Sequence, residues 1–382
     1  MVLACAPMIT EPHAQLREGD PDIGLFTVLR EDGTADPSTD PGIPTERLLF
    51  AYRHLRRLRM LDARMILLQR QGRVGFYGAC TGQEAVPIAT GLVANEGDWV
   101  FPALREQSVM LVRGFPLRSF VAQIFGNSGD VLKGRQMPSH PSGKQVHQVS
   151  WSSCIGPQIP QAVGCAFAMK QAKGGAISFG FSGDGATSQP DFHAAMTFAA
   201  HWKAPSVIVV QNNHWSISVP TARQTASRTI AVKARAYGMP GVRVDGNDLL
   251  AMHAVLTQAA ERARRGEGPT LVEALTYRIG AHSTSDDPTR YRSDAEVESW
   301  KKKDPVDRLA KHLRHLDAIS DASEKALDEE LAAEIGAVIK EVEELPPPAR
   351  LGLFDDVYAA PTWNLREQQA LLEKLPPAPT HG

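Results

Sequence analysis

The chain has 382 residues, of which 43% are hydrophobic and 22% charged, with a formal net charge of −2. This globular balance excludes a general electrostatic draw towards nucleic acid or acidic membranes, and no apolar run approaches the ~18 residues of a membrane span. The four cysteines, Cys5, Cys80, Cys154 and Cys165, form no CxxC pair, which argues against a disulfide framework or structural zinc and fits a reducing compartment.

Residues 1–44 are rich in Pro, Asp, Gly and Thr and read as an irregular arm, partly ordered at best unless a partner holds it. Met1 to Asp20 lacks the basic start and long apolar stretch of a secretion signal, so a cytoplasmic protein is expected, with the mitochondrial matrix as the alternative. Thr45 is a candidate N-cap for a helix running to about Gln71, with Glu46 in its first turn. On that helix Arg53, Arg56, Arg57, Arg59 and Arg64 alternate with leucines. This basic face reads as solvated or subunit-facing rather than as a nucleic-acid patch. Gly72, Gly75, Gly78 and Gly82 end the helical pattern, so Phe76 to Gln83 lie on a loop. A helix, short strand, loop and helix follow over about 84–125. The long aperiodic stretch 126–149 is functional or disordered.

The middle of the chain is the clearest. Ala176 to Ser182 is a short apolar strand, Gly183-Asp-Gly185 a turn at its end, Gln189 to Lys203 a helix, and Ser206 to Gln211 a second, almost wholly apolar strand. Gly241 to Asp245 and Leu271 to Arg278 read as further strands around a helix from about Leu249 to Arg265. Continuous apolar strands alternating with helices predict an α/β, doubly wound, mostly parallel sheet. Beyond about 294 the chain is helical, and its later part is acidic (Asp328, Glu329, Glu330, Glu334, Glu341, Glu343, Glu344), which reads as a solvated face. Pro346-Pro-Pro348 ends that helix, and a last one spans Leu365 to Leu375. The organisation expected is an arm (1–44), an α/β domain (45–293) and a helical C-terminal extension (294–382).

Open parallel sheets bind ligands beyond the carboxyl ends of their strands. Asp184 stands just past one strand and Asn213 just past the next, so the fold brings a carboxylate and an amide oxygen to one sheet edge. Hard oxygens of that kind suit magnesium, which shares its octahedron with phosphates. Gly-Asp-Gly alone is a weak signal; its pairing with Asn-Asn after the following strand is much stronger. No GxGxxG follows a strand, so this is not the nicotinamide fingerprint.

With these motifs the sequence resembles the thiamine-diphosphate-dependent 2-oxo acid dehydrogenases, and within them the alpha subunits of the branched-chain (3-methyl-2-oxobutanoate) branch. The resemblance runs from about Leu25 to Tyr358. It is carried by 69–73 (QRQGR), 134–138 (GRQMP), 158–164 (QIPQAVG), 183–185 (GDG), Asn212-Asn213, 243–248 (RVDGND) and 277–287 (YRIGAHSTSDD). It implies thiamine diphosphate as cofactor, with magnesium held by Asp184, Asn213 and the Trp215 carbonyl. It implies Arg105 on the diphosphate, Ser153 and the apolar wedge Ile155 beside the cofactor, and His282 near the diphosphate and reacting carbon. Leu104, Gly185, Ala186 and Gln211 complete the candidate cofactor wall. Leu104 replaces a frequent tyrosine and Gln211 an arginine of some relatives, which shifts diphosphate affinity towards Arg105 and His282.

The near-neutral titration of a histidine suits His282 to proton transfer, and the resemblance assigns it to reductive acylation of lipoyl groups on an acyltransferase core. Asp286, Asp287 and Arg278 read as residues ordering its loop. Ser283 and Ser293 match positions phosphorylated in some relatives and read here as unmodified loop serines. His140 and His147 are channel-lining or structural, and the Cys154 carbonyl is a candidate ligand for a structural potassium ion. The chain has room for one α/β domain of this kind, so the aminopyrimidine half must come from a beta subunit, with two alpha and two beta chains expected. The alternatives are a pyruvate or acetoin dehydrogenase alpha subunit and, from another class, a non-catalytic partner-binding paralogue.

Overall fold

A computed structural model describes residues 24–376. The calls on Met1 to Asp20 and on Cys5 lie outside these residues. In chain order the elements are β1 (Leu25–Phe26), α1 (Thr45–Arg70), α2 (Ala85–Val93), β2 (Trp99–Phe101), α3 (Val109–Val112), α4 (Leu117–Phe125), α5 (Gln158–Gln171), β3 (Ser178–Gly183), α6 (Pro190–Trp202), β4 (Ser206–Asn212), β5 (Trp215–Ser216), β6 (Val219–Pro220), α7 (Thr221–Gln224), β7 (Gly241–Asp245), α8 (Leu249–Arg264), β8 (Thr270–Leu275), α9 (Asp294–Lys301), α10 (Pro305–His315), α11 (Asp321–Glu343) and α12 (Trp363–Lys374).

Six strands form one parallel sheet in the order β1-β7-β8-β4-β3-β2. The side-chain period of two divides β4 between the two faces. Val207 and Val209 pack with α2, α8 and Phe179 and Phe181 of β3, whereas Ile208 and Val210 pack with α5 and α6. Burial on both sides explains why this strand is a continuous apolar run. At Gly180 of β3 an added Cβ would lie 2.7 Å from the Ala162 Cβ, so its absence lets α5 pack close to the sheet. Neither α5 nor the β5–β6 hairpin was expected from the sequence.

Three expectations need correction. Thr45 is the first helical residue of α1 rather than its cap; Pro44 holds the cap position, without a side-chain bond. The arm from residue 24 onwards is ordered by this chain itself. β1 adds to the sheet edge. The buried Asp248 carboxylate accepts the Val28 and Leu29 N–H groups (2.7 and 2.6 Å) while capping α8 through Ala251 (3.0 Å). Arg308 of α10 ties the Leu29 carbonyl to Asp245. Finally, the acidic face of α11 and the basic face of α1 meet. Arg53 pairs with Glu330 (2.7 Å), Arg57 with Glu334 (2.8 Å) and Arg56 with Asp328, and Arg73, just past α1, pairs with Glu343. Opposite charge is neutralised within the chain, where the sequence suggested solvated faces.

Candidate functional site

Past the carboxyl ends of β3 and β4 lies a cleft of about 250 Å³. It borders Asp184, Asn213, Trp215, Arg105, Leu104, Ser153, Ile155, Gly185, Ala186, Gln211 and His282. Every candidate site residue is therefore gathered at one place. His140 reaches its wall through Ser153 (Nε2 to Oγ, 2.6 Å) and stacks on Trp151, with ring centroids 3.8 Å apart. His147 instead sits against Trp99 and the Glu96 carbonyl, off the cleft.

Strand register explains the meeting of Asp184 and Asn213. Gly183 pairs with Gln211 across β3 and β4, so the two residues emerge from adjacent strand ends. Asp184 is 1% exposed; burial raises its pKa, opposed by a hydrogen bond from Thr221 Oγ1 (2.8 Å). Asn213 donates its Nδ2 to Gln83 (3.0 Å) and accepts the Trp215 N–H on Oδ1 (3.1 Å). Among the described residues no three His, Cys, Asp or Glu side chains cluster as a metal cage. A carboxylate, an amide oxygen and a backbone carbonyl are instead a set that leaves coordination positions to ligand oxygens.

Arg105 is 4% exposed, and its guanidinium donates to the Ala79 and His282 carbonyls. No carboxylate among the described residues is close enough to form an ion pair with it. Burial, with repulsion from Arg278, pulls its pKa down to about 10. A buried cation so poorly neutralised beside a cavity has the chemistry to receive an anion. The adjacent Glu106 is committed elsewhere: it accepts the Ala103 and Arg105 N–H groups (2.7 and 3.2 Å) and the Gln211 Nε2. The Gln211 nitrogen is thereby turned towards Glu106, and its Oε1 has no partner, nor do Gln83 Nε2 and Ser182 Oγ on the same wall. Buried polar atoms of this kind are normally completed by a protein group, an ordered water or a ligand, and these three face the cleft.

His282 departs from the titration expected of it. Burial, and then Arg105 and Arg278, push its pKa down to about 4, so its imidazole is neutral at pH 7. Its loop is ordered as anticipated. Asp286 accepts the His282 N–H (2.7 Å) and the Tyr291 hydroxyl (2.5 Å), Asp287 holds Thr289 (2.7 Å), and Arg278 reaches the Tyr291 hydroxyl and the Ile217 carbonyl (2.7 and 2.6 Å). Ser293 caps α9 through Glu296 (3.3 Å) and Ser283 bonds Ser285 (3.4 Å). The carbonyls of Cys154 and Ser152 both accept from Gln158 Nε2 at 3.0 Å. Ile155 and Ile217 stand 62% and 53% exposed at the rim. Sequence reasoning gave no role to Gln83, Glu106, Thr221 or Gln158; the local hints were that Glu106 adjoins Arg105 and that Gln158 opens the motif 158–164.

The profile of the family described as dehydrogenase E1 component matches residues 52–350. The chain is 42% identical over 324 residues to the mitochondrial 2-oxoisovalerate dehydrogenase subunit alpha 2 of Arabidopsis thaliana, covering 85% of this chain and 69% of that one. It is 39% identical over 352 residues to the 2-oxoisovalerate dehydrogenase subunit alpha of Pseudomonas aeruginosa, covering 90% and 86%. To the mitochondrial human subunit alpha of that enzyme it is 38% identical over 354 residues, covering 92% and 80%. No helix among the described residues is long and apolar enough to cross a membrane.

Proposed function

This chain belongs to the dehydrogenase E1 component family, which depends on thiamine diphosphate, and on that premise we propose that it is the alpha subunit of a branched-chain 2-oxo acid dehydrogenase. Its reaction is the oxidative decarboxylation of 3-methyl-2-oxobutanoate and related acids, coupled to reductive acylation of lipoyl groups on an acyltransferase core. The branched-chain substrate is that of the relatives it resembles over most of its length.

The observation carrying this reading is the buried, poorly neutralised Arg105 sharing one cleft with Asp184 and Asn213. Asp184, Asn213 Oδ1 and the Trp215 carbonyl, which also accepts from Arg278 (3.3 Å) and keeps a second lone pair, would hold magnesium, and Arg105 the diphosphate. Leu104, Ser153, Ile155, Gly185, Ala186 and Gln211 would line the cofactor. When bound, thiamine diphosphate supplies the nucleophilic carbon and the electron sink for decarboxylation. The chain's part is electrostatic. Burial disfavours the ionised Asp184 carboxylate, and a divalent cation beside it reverses that preference. Arg105 and Arg278 both disfavour protonated His282; an anion in the cleft offsets them, so the neutral imidazole becomes able to take up a proton where acyl transfer needs one. The proposal places no potassium at the Cys154 carbonyl, which accepts from Gln158.

The exposed Ile155 and Ile217 at the rim favour a second chain closing the cleft. We assign this place to a beta subunit, in a heterotetramer of two alpha and two beta chains. Residues 45–293 are taken as the diphosphate-binding half, with 294–382 as its helical extension. Co-purification with the neighbouring gene's product, followed by turnover assays, tests the proposal. Faster turnover of 3-methyl-2-oxobutanoate than of pyruvate is expected. Preference for pyruvate overturns the branch assignment, and absence of thiamine diphosphate binding by the reconstituted pair favours the non-catalytic paralogue.

A further inference from the structure

The two ends of the Asn213 amide are treated differently. A carboxamide lends a cation only its oxygen, so its nitrogen must be held by an acceptor if the group is not to turn over. Gln83 Oε1 is the only acceptor of Asn213 Nδ2 among the described residues (3.0 Å). Gln83 is fully buried, and its backbone is fixed on every side. Its own N–H donates to the Cys80 carbonyl (2.8 Å), the Gly82 N–H to Glu84 (2.8 Å), and the Gly82 carbonyl accepts from Thr276 Oγ1 (3.0 Å). Gly82 has a φ of +93° and lies so close to the Tyr277 carbonyl that an added Cβ would stand 2.5 Å from it. This turn has no freedom to follow Asn213. Asn213 is instead oriented by the turn on its nitrogen side, and by the Trp215 N–H (3.1 Å) on its oxygen, which keeps a second lone pair free.

We propose that Gln83 is a positioning residue that fixes the Asn213 amide with its oxygen available to the divalent ion. The inference rests on the reading of the site given above. Gln83 makes this contact through its oxygen alone, from a side chain that is fully buried on the cleft wall.

The test is a calorimetric titration of the full chain, with its partner subunit and saturating thiamine diphosphate, by magnesium. Q83M removes the acceptor at similar volume. It should raise the half-saturating magnesium concentration about tenfold or more, within the range for outer-shell partners of metal ligands, while leaving the KM for the 2-oxo acid at saturating magnesium unchanged. Q83E keeps an oxygen facing Asn213 and should stay within about threefold of wild type. Wild-type magnesium affinity in Q83M, or an equal loss in both variants, overturns the inference; if Q83M does not fold, a tenfold loss in Q83E does so alone. D184N in the same titration separates the two levels: if it binds magnesium like the wild type, the reading of the site itself has failed.

Discussion

The α1–α11 contact and the cleft both gather charge, and they handle it in opposite ways. Between the helices, half-buried arginines each face a carboxylate: Arg53 with Glu330, Arg56 with Asp328, Arg57 with Glu334. In the cleft, Asp184 and Arg105 are almost wholly buried and neither faces an opposite charge in a close ion pair, while Gln83, Gln211 and Ser182 each keep a polar atom without a partner. Matched, solvated charge is nearly neutral for stability. Unmatched, buried charge is costly, and persists where a ligand is to complete it. The first region holds the chain together, and the second holds stability in reserve for binding.

The largest effect that would break this contrast lies at Asp184. D184N retains an oxygen to accept from Thr221 but removes the charge. Activity of the reconstituted enzyme should fall about 10³-fold, as for loss of a principal electrostatic contact. The ligand-free melting temperature should not fall, because burial already disfavours the carboxylate. A large drop in melting temperature would place Asp184 with the structural charges and remove the contrast.

A smaller effect concerns pH. The folded pKa of His282, about 4, lies below the ~6.5 of an unfolded chain. As pH falls from about 6.5 towards 4 the unfolded state takes up the proton first, so the stability gained from burying neutral imidazole is present above 6.5 and lost across that window. H282Q should therefore lose less melting temperature than wild type between pH 7 and 5, by about 2 °C. His54 and His253 are pushed equally low by burial but are common to both proteins, so they cancel in the difference. Identical acid limbs would show that His282 is not held neutral.

What the sequence revealed followed the same division. The sheet was legible because burial on both faces leaves β4 an uninterrupted apolar run. The meeting of Asp184 and Asn213 at one sheet edge was legible because strand, helix and strand form one local unit. α5 was not, since Pro160 and Gly164 interrupt its pattern and its stability comes from packing on the sheet. The docked arm was invisible because its partner Asp248 lies 220 residues away. Gln83 and Thr221 carry no local signature either; their roles are set by what β3 and β4 place beside them. For the same reason the periodicity of α11 gave its acidic stripe but not the arginines of α1 that cover it.

The smallest effect tests the helical side of the contrast. Arg57 and Glu334 are 2.8 Å apart with side chains 16% and 32% exposed, the least solvated of the Arg53, Arg56 and Arg57 pairs on this interface. A double-mutant cycle of R57Q and E334Q, read by urea denaturation, should give a coupling below about 1 kcal/mol, with activity unchanged in all three variants. Both side chains keep a share of their surface in water, so each charge is partly re-solvated when its partner is removed, whereas D184N acts on a group that water does not reach. A coupling of several kcal/mol, or activity lost in step with stability, would mean that the helices also store unmatched charge, and that burial rather than pairing decides where this chain keeps its reserve.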